Sequence, residues 1–408
     1  MRSRHHTVLG ATQTLNFEAI VRYVLAPRPD EEVYAQDYFV YDLSQFYHFT
    51  LLRGQPGGRY VNVDPPPELI ISHNPSHRAD AAFIASYGRE APVVSHMHCQ
   101  YNFTVEKVPG AKENLDQSLE AGYTNIGVVP ARFLKEDMEI RFPYIDWRVV
   151  HNGARKSIYY PSTTDERDKF RKANGIPSDK KLVGFVGRLQ QEKGLRFLEA
   201  IAERIQEANA CLFIHFPYWK TNNRETNKQR EEFLAIANSL KEEWDGVYTY
   251  RDTCPRFPNR PMRFFDTLVM PSLSEVAPMV VLESLACGVP VVVTRSSGFY
   301  EELEHLGIAP KYCKVIDLPE QFDVGANPGA EFEDKFEFRD KVDEILSELN
   351  FLISPTDNER LTLERLSDEQ GLSDATMYSQ FIDIYNEALE LPVEVEDVPD
   401  TDSRLLKG

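Results

Sequence analysis

Between residues 181 and 294, short apolar runs alternate with amphipathic stretches of helix length. KLVGFVG (181–187) and ACLFIHF (210–216) have the composition of buried strands, and LRFLEAIAERIQEA (195–208) spaces its apolar residues three and four apart, as one helix face requires. The alternation continues through a charged helix, the strands GVYTY and DTLVM, the short helix MVVLESLAC and the strand PVVVT. Strands separated by helices pair in parallel with right-handed crossovers. We therefore predict a doubly wound, Rossmann-like α/β domain.

The first 150 residues carry a weaker form of the same pattern. PELIISHNP and APVVSHMH indicate two buried strands that end in polar residues, which favours a second α/β domain. Asn152-Gly153 and the polar, proline-containing stretch after it are typical of a turn and a linker. We predict an N-terminal domain at 1–150, a C-terminal domain at 151–390 whose last helix (372–390) returns to the first domain, and a mobile acidic tail at 391–408.

Composition narrows the class of protein. At roughly 150 residues per domain, 408 residues favour two or three domains. The net charge of −19 disfavours nucleic acid and anionic membranes as partners. No apolar stretch approaches a bilayer span or a signal-peptide core, so we expect a soluble, cytoplasmic protein. The five cysteines are scattered singly, which predicts neither a disulfide framework nor a cysteine zinc site.

The segment GRLQQEKG, residues 187–194, lies where a predicted strand ends and a helix begins. Backbone N–H groups and the helix dipole favour an anion at such a point. Arg188 and Lys193 add two cations that could hold a diphosphate, the arginine through its planar fork. The alternative is a surface turn with two solvated cations. The glycine spacing fits neither GxGxxG nor GxxxxGK[ST].

A second segment, PSLSEVAPMVVLESLACGVP, follows the predicted strand DTLVM. Pro278 suits the start of a helix and Gly288 its end, which places Glu275 in the loop and Glu283 about one turn into the helix. Carboxylates at the carboxyl end of a strand can accept hydrogen bonds from pairs of sugar hydroxyls. The alternative is an exposed loop acid plus an acid that interacts with the helix dipole.

Together these segments resemble the donor domain of the GT4-type retaining glycosyltransferases (glycosyltransferase group 1). The linker VVHNGARKSIYYPS is also similar to the family pattern, and the similarity extends over roughly residues 148–303. The resemblance implies the GT-B fold, two Rossmann-like doubly wound domains that face each other across a cleft. It also implies a nucleotide diphosphate sugar bound mainly by the C-terminal domain.

Carried over by position, the resemblance assigns roles to four side chains. Arg188 and Lys193 would contact the diphosphate and stabilise it as the glycosidic bond breaks, since negative charge develops there in the transition state. Glu283 would hold the nucleotide ribose, and Glu275 would hold hydroxyls of the transferred sugar. The family needs no metal, and no DxD-type metal clamp is evident in the sequence.

Two further donor contacts follow from the same comparison. Pro278 stands where the family tends to have glycine and has no N–H to offer, so the amides of Met279 and Val280 are expected to serve instead. Ser297-Gly298 resembles the Gly-Gly turn of the family and is expected to close the site near the phosphates.

In the N-terminal half, His98 matches the family histidine that lies near the reacting sugar, and His96 is one side-chain alternation away on the same face. The alternative for each is a histidine satisfied by backbone at a strand end. His73 and His77 also follow a predicted strand and border the acceptor side, although a structural role is the simpler interpretation. The usual Gly-rich loop after the first strand is not matched, since Gly10 is its only glycine.

We therefore expect a metal-independent, retaining hexosyltransferase without a cofactor, acting on a nucleotide diphosphate sugar, with UDP favoured over GDP. Retention would come from same-face attack, with the leaving phosphate taking the acceptor proton. The acceptor, a saccharide, a lipid or a small molecule, stays open, and no basic amphipathic helix supports membrane association. The alternatives are an epimerase or hydrolase on the same fold, and a nucleotide-sugar-binding protein without transfer activity. A DNA glycosyltransferase is disfavoured by the charge.

Overall fold

Twelve strands and eleven α-helices are found in the part of the chain that the computed structural model describes. The described residues are 5–9, 48–52, 68–73, 75, 81, 84, 88, 91–107, 110–120, 123–217, 224–252, 261–273, 275–295, 299–317, 339–351 and 355–391. The strands form two sheets of six, and every pairing in both is parallel.

The first sheet has the strand order β2-β1-β3-β4-β5-β6. Its strands are β1 (His5–Leu9), β2 (His48–Leu52), β3 (Leu69–His73), β4 (Val93–His96), β5 (Thr124–Val129) and β6 (Asp146–Val149). The helices that follow its strands are α1 (Tyr101–Lys107), α2 (Ala111–Glu120) and α3 (Arg132–Arg141). The second α/β domain expected from PELIISHNP and APVVSHMH is therefore present.

The second sheet has the strand order β12-β11-β10-β7-β8-β9. Its strands are β7 (Lys181–Val186), β8 (Ala210–Pro217), β9 (Val247–Asp252), β10 (Thr267–Met270), β11 (Val291–Thr294) and β12 (Cys313–Ile316). Its helices are α4 (Thr164–Asn174), α5 (Leu195–Arg204), α6 (Arg224–Glu243), α7 (Met279–Ala286), α8 (Phe299–His305), α9 (Arg339–Phe351) and α10 (Asp357–Glu369). The predicted helix 195–208 is shorter than expected, because residues Ile205–Ala208 form a 3₁₀ turn.

The order of the second sheet determines where a ligand can bind. The chain moves outward from β7 to β8 and β9, and then returns to add β10 on the other side of β7. Open α/β sheets bind ligands outside the carboxyl ends of the strands at such a switch point. The segments that follow β7 and β10 are the two that the sequence singles out, GRLQQEKG and PSLSEV.

The last helix, α11 (Asp374–Glu390), lies against the first sheet. Its buried Phe381 and Tyr385 belong to the same apolar cluster as Leu69 of β3 and Val94 of β4. Because α11 packs there, the two domains are joined by a second connection besides the linker.

The two connections run side by side. Ala154 N–H donates to Leu372 O (N···O 2.9 Å), and Asp374 N–H donates to Ala154 O (3.1 Å). A Cβ on Gly153 would lie 2.3 Å from the backbone of Ser373, so only glycine allows this approach. The Asn-Gly turn predicted at the linker is thus the place where the returning chain crosses it.

Among the described helices, none combines the length and the apolar composition that crossing a bilayer requires.

Candidate functional site

The two sequence motifs form one surface at the switch point of the second sheet. Leu273 N–H donates to Glu192 O, with 2.9 Å between the two atoms. Gly194 has φ +75°, and a Cβ there would lie 1.8 Å from Pro271 O. Left-handed backbone and this close approach both require glycine. The turn after β7 is therefore held against the loop after β10.

Lys193 and Glu275 meet across this contact. Lys193 Nζ lies 2.5 Å from Glu275 Oε1, and Ser272 Oγ donates to the same oxygen at 3.1 Å. The Lys193 and Glu275 side chains are 23% and 16% exposed, so the ion pair is partly shielded from water. The sequence predicts separate partners for them, a diphosphate for the lysine and sugar hydroxyls for the glutamate. In this structure each is the other's partner, and a ligand has to compete with that pair.

Arg188 follows β7 and is half exposed. Its Nη2 lies 3.3 Å from Glu192 Oε1, and its side chain is 53% exposed. Exposed ion pairs of this kind contribute little free energy. A phosphate could therefore replace Glu192 as the partner of Arg188 at small cost.

Helix α7 begins at Met279, with Pro278 as its N-cap. The N–H groups of Val281 and Leu282 both donate to Pro278 O, at 3.0 and 3.4 Å. The amides of Met279 and Val280 precede these bonds, in the position where a helix N-terminus can bind an anion. The two amides named from the sequence thus lie at the start of this helix.

Glu283 lies one turn further along α7 and is only 5% exposed. It makes further polar or electrostatic contacts within the protein. It also contributes, after burial itself, to the raised pKa of the Cys287 thiol, which reaches about 12. Ser297 and Gly298, the last donor residues named from the sequence, lie outside the described residues.

Three histidines cluster at the carboxyl end of the first sheet. His73 ends β3, His96 ends β4 and pairs with His73 in register, and His98 follows two residues later. His73 Nδ1 lies 2.8 Å from His98 Nε2, a hydrogen bond between two ring nitrogens. The ring centroids are 4.5 Å apart for His73–His96, 5.1 Å for His73–His98 and 6.0 Å for His96–His98. In the sequence His73 follows one predicted strand and His96 and His98 another, whereas the structure brings all three together.

Helix α11 covers one side of the cluster. The Tyr385 hydroxyl is hydrogen-bonded to His96 Nε2 at 2.9 Å, and the Phe381 ring centroid is 4.9 Å from that of His96. His96 is buried, while His73 and His98 are partly exposed. The open side of the cluster is therefore the side of His73 and His98.

Burial keeps the three imidazoles neutral. It lowers the pKa of His98 to about 4, and it lowers the pKa of His73 and His96 well below the ordinary value, with repulsion from neighbouring histidines adding to the effect. Their candidate ligand nitrogens all lie within 4.8 Å of one another, so the group could hold a metal ion. The sequence signal for such a site is the spacing of His96 and His98, which one intervening residue places on the same face of a strand, but nothing in the sequence shows that His73 lies beside them.

The two sites face each other. Val276, next to Glu275, packs against the apolar cluster of the N-terminal domain that contains Met97. Cys99, next to His98, has a raised pKa, mainly because of burial and then because of the charge of Glu275, while Lys193 opposes the shift. The end of β4 therefore lies within electrostatic reach of the Lys193–Glu275 pair.

Glu302 of α8 joins the two domains. Its Oε2 accepts from the backbone N–H of Arg132 at 2.9 Å, and its Oε1 lies 2.7 Å from His151 Nε2. Burial alone would raise the pKa of Glu302, but these hydrogen bonds outweigh it and hold the pKa below its ordinary value. No spacing or periodicity in the sequence indicates this contact.

Part of the chain resembles known glycosyltransferases. Residues 166–314 match the family model described as glycosyl transferases group 1. A Bacillus subtilis protein described as a glycosyltransferase of teichuronic acid biosynthesis, TuaC, is 25% identical over 258 residues, which cover 61% of this chain and 59% of that protein. A D-inositol 3-phosphate glycosyltransferase of Corynebacterium jeikeium is 33% identical over 37% of this chain and 36% of its own length. The chain thus matches less than two thirds of the length of either relative.

Solved structures resemble nearly the whole chain. Sucrose-phosphate synthase from Thermosynechococcus elongatus has a TM-score of 0.63 and 13% identity, over 94% of this chain and 98% of that one. The Anabaena protein HepE, in complex with UDP and glucose, has a TM-score of 0.60 and 15% identity, over 94% of this chain and 100% of that one. At this identity the likeness establishes the fold alone, and it confirms the fold class expected from the sequence.

Proposed function

We propose that this chain, a protein of GT-B fold with a group 1 glycosyltransferase domain in residues 166–314, transfers a hexose from a nucleotide diphosphate sugar to an acceptor hydroxyl with retention of configuration. The observation that carries the proposal is the convergence of Lys193 and Glu275 at the switch point of the second sheet. The group that would bind phosphate and the group that would bind sugar hydroxyls lie side by side, opposite the histidines of the first domain.

Donor binding uses the two motif segments. Arg188 and Lys193 hold the diphosphate, and Glu275 exchanges Lys193 for hydroxyls of the transferred sugar. The amides of Met279 and Val280 add donors from the start of α7. Glu283, about one turn into α7, binds the ribose, since a carboxylate can accept hydrogen bonds from a pair of hydroxyls.

Catalysis follows from the same groups. Negative charge increases on the diphosphate as the glycosidic bond breaks, and prepositioned cations stabilise that charge more than they stabilise the ground state. The acceptor hydroxyl attacks from the face that the diphosphate leaves, and the departing phosphate oxygen takes its proton. His98 contacts the transferred sugar or the acceptor from the opposite wall. The reaction at the diphosphate needs no metal.

UDP is the favoured nucleotide. The HepE structure with UDP and glucose supports this choice, since it shows a protein of the same fold binding that nucleotide. The acceptor class stays open among saccharides, lipids and small molecules.

Calorimetry and thermal unfolding of the full chain with UDP-, GDP-, ADP- and dTDP-sugars test the donor. One donor should raise Tm by a few degrees at saturating concentration, through its binding to the folded state alone. Glu283→Ala and Arg188→Ala should each weaken that donor about tenfold or more, since each removes a charged hydrogen-bonding group. Lys169→Ala, on an exposed lysine of α4 that is paired with exposed Asp165, is the matched control and should bind normally. No binding by any donor would overturn the proposal.

Product analysis distinguishes the remaining alternatives, and conversion of the donor into its epimer without acceptor would identify an epimerase. Transfer predicts nucleotide release that depends on an acceptor, and NMR of the product should show the anomeric configuration of the donor. Release of free sugar without acceptor would identify a hydrolase. A donor that binds but is never consumed with any acceptor class would identify a binding protein. The missing N–H of Pro278 would then explain the lack of transfer.

A further inference from the structure

We propose that His73, His96 and His98 bind one divalent transition-metal ion, zinc being the ion to use as probe. The site lies on the N-terminal wall of the cleft, opposite the donor-binding segments of the second domain. When it is occupied, the ion takes the place of the direct contact between His98 and the sugar or the acceptor. The site does not depend on the glycosyltransferase assignment, because it is built from the first sheet and α11 alone.

The fold brings the three ligands together. His73 and His96 are register partners at the ends of adjacent parallel strands, and His98 returns beside them after one intervening residue. The candidate ligand nitrogens lie within 4.8 Å of one another. Tetrahedral zinc with bonds of about 2.0 Å needs nitrogens roughly 3.3 Å apart. The three rings would have to rotate about their side-chain torsions to reach that geometry, and bonds to the ion would replace the His73–His98 hydrogen bond of 2.8 Å.

The environment suits imidazole ligands. A metal binds the neutral ring, and burial of the cluster disfavours the protonated one. Three uncharged nitrogens without a carboxylate match the preference of zinc, copper, nickel and iron rather than magnesium or calcium.

Tyr385 supplies the outer contact that such sites use. A ligating histidine usually donates its other N–H to a fixed partner, which sets the tautomer and the ring orientation. The Tyr385 hydroxyl lies 2.9 Å from His96 Nε2, so His96 would bind the metal through Nδ1. This assignment predicts that Tyr385 affects metal affinity without being a ligand.

Three protein ligands leave a tetrahedral ion one further position, which water or a substrate oxygen can take. Because α11 covers the His96 side, that position is on the side of the partly exposed His73 and His98. The neighbouring Cys99 is within reach of the Glu275 and Lys193 charges, so the ion would lie on the wall of the cleft that faces the donor site.

Metal titration of the full chain tests the proposal. The protein is first freed of metal with a chelator, and zinc is then added in competition with a chromophoric chelator, while cobalt absorption reports the coordination. We expect one equivalent per chain, with visible cobalt bands of four-coordinate intensity. His73→Asn and His98→Asn should each weaken zinc binding at least tenfold, and Tyr385→Phe should weaken it while the stoichiometry stays at one.

His305→Asn is the matched control, because His305 is exposed at the end of α8 and is not one of the three clustered histidines. It should leave zinc affinity unchanged. Circular dichroism and thermal unfolding check that each variant is folded, and His73 and His98 are chosen because they are less buried than His96. Absence of zinc binding by folded wild-type protein, or equal binding by His73→Asn and His98→Asn, would overturn the proposal and leave the donor-binding experiments unaffected.

Discussion

Lys193 Nζ lies 2.5 Å from Glu275 Oε1, so the two side chains assigned to the donor's phosphate and sugar neutralise each other without a ligand. Glu275→Gln removes the charge that competes for Lys193. We expect this variant to bind UDP more tightly than the wild type does. We also expect that it binds the UDP-sugar little more tightly than UDP, because an amide replaces the carboxylate that accepts hydrogen bonds from the sugar hydroxyls. Calorimetry with UDP and with the UDP-sugar measures both effects.

Lys193→Met should lower the affinity for both UDP and the UDP-sugar by about tenfold or more, since it removes a charged contact to phosphate. The variant retains much of the apolar stem of the lysine and therefore separates loss of charge from loss of packing. If Glu275→Gln instead bound UDP less tightly, the ion pair would be a positioning contact for Lys193 rather than a competitor of the ligand.

Gly194 allows the turn after β7 to touch the loop after β10. Gly194→Ala would place a Cβ 1.8 Å from Pro271 O in a left-handed conformation. We expect it to lower both the free energy of unfolding and donor affinity, because the contact that brings Lys193 to Glu275 has to open. Gly175→Ala is the control, since Gly175 has φ +68° and nothing within 4 Å of an added Cβ. Its free energy of unfolding should fall only by the cost of placing an alanine in a left-handed conformation, about 1 kcal/mol, and its donor binding should be unchanged.

The second domain could be predicted from sequence because its signals are local. Strand-length apolar runs, helix periodicity and the glycines and prolines between them locate β7, β10 and α7 to within a few residues. The positions of Arg188, Lys193 and Glu275 after the strands, and of Glu283 about one turn into α7, follow directly from those signals.

What the sequence did not indicate depends on contacts between distant residues. Tyr385 reaches His96 across 289 positions of sequence, and Glu302 reaches Arg132 across 170. Neither pair has a periodic or spacing signal, because each depends on how α11 and α8 pack on the first domain. The resemblance does not indicate that Lys193 pairs with Glu275 either, because it assigns both side chains to a ligand.

Glu302→Ala should destabilise the chain by about 1–3 kcal/mol, because it leaves the Arg132 N–H and His151 without their acceptor. Glu301→Ala is the neighbouring control. Its side chain is 48% exposed and paired with Arg295 at the surface, so the expected change is under about 1 kcal/mol. Chemical denaturation followed by fluorescence measures both changes, and equal losses in the two variants would show that Glu302 does not tie the domains together.

The same carboxylate should make stability depend on pH. The folded-state pKa of Glu302 lies below its ordinary value, so its contribution is complete above about pH 4.5 and is lost as the pH falls through the folded pKa. The difference in unfolding free energy between wild type and Glu302→Gln should therefore shrink on acidification from neutral pH to below 4.5. A difference that stays constant over that range would contradict the shifted pKa.

The histidine cluster should also make stability depend on pH, over a higher pH range than Glu302 does. Burial lowers the folded-state pKa of His98 to about 4, whereas the unfolded value is about 6.5. Between these values the unfolded chain binds more protons than the folded chain, so acidification through this window lowers stability. The unfolding equilibrium constant should rise by up to about tenfold per pH unit and per histidine.

Denaturation of the metal-free protein at intervals from pH 7 to pH 5 measures how steeply the free energy of unfolding changes with pH, before most carboxylates titrate. His98→Asn should have a shallower slope than wild type, while exposed His305→Asn should keep the wild-type slope. Identical slopes in all three proteins would mean that His98 titrates like an exposed histidine and that the cluster is open to water.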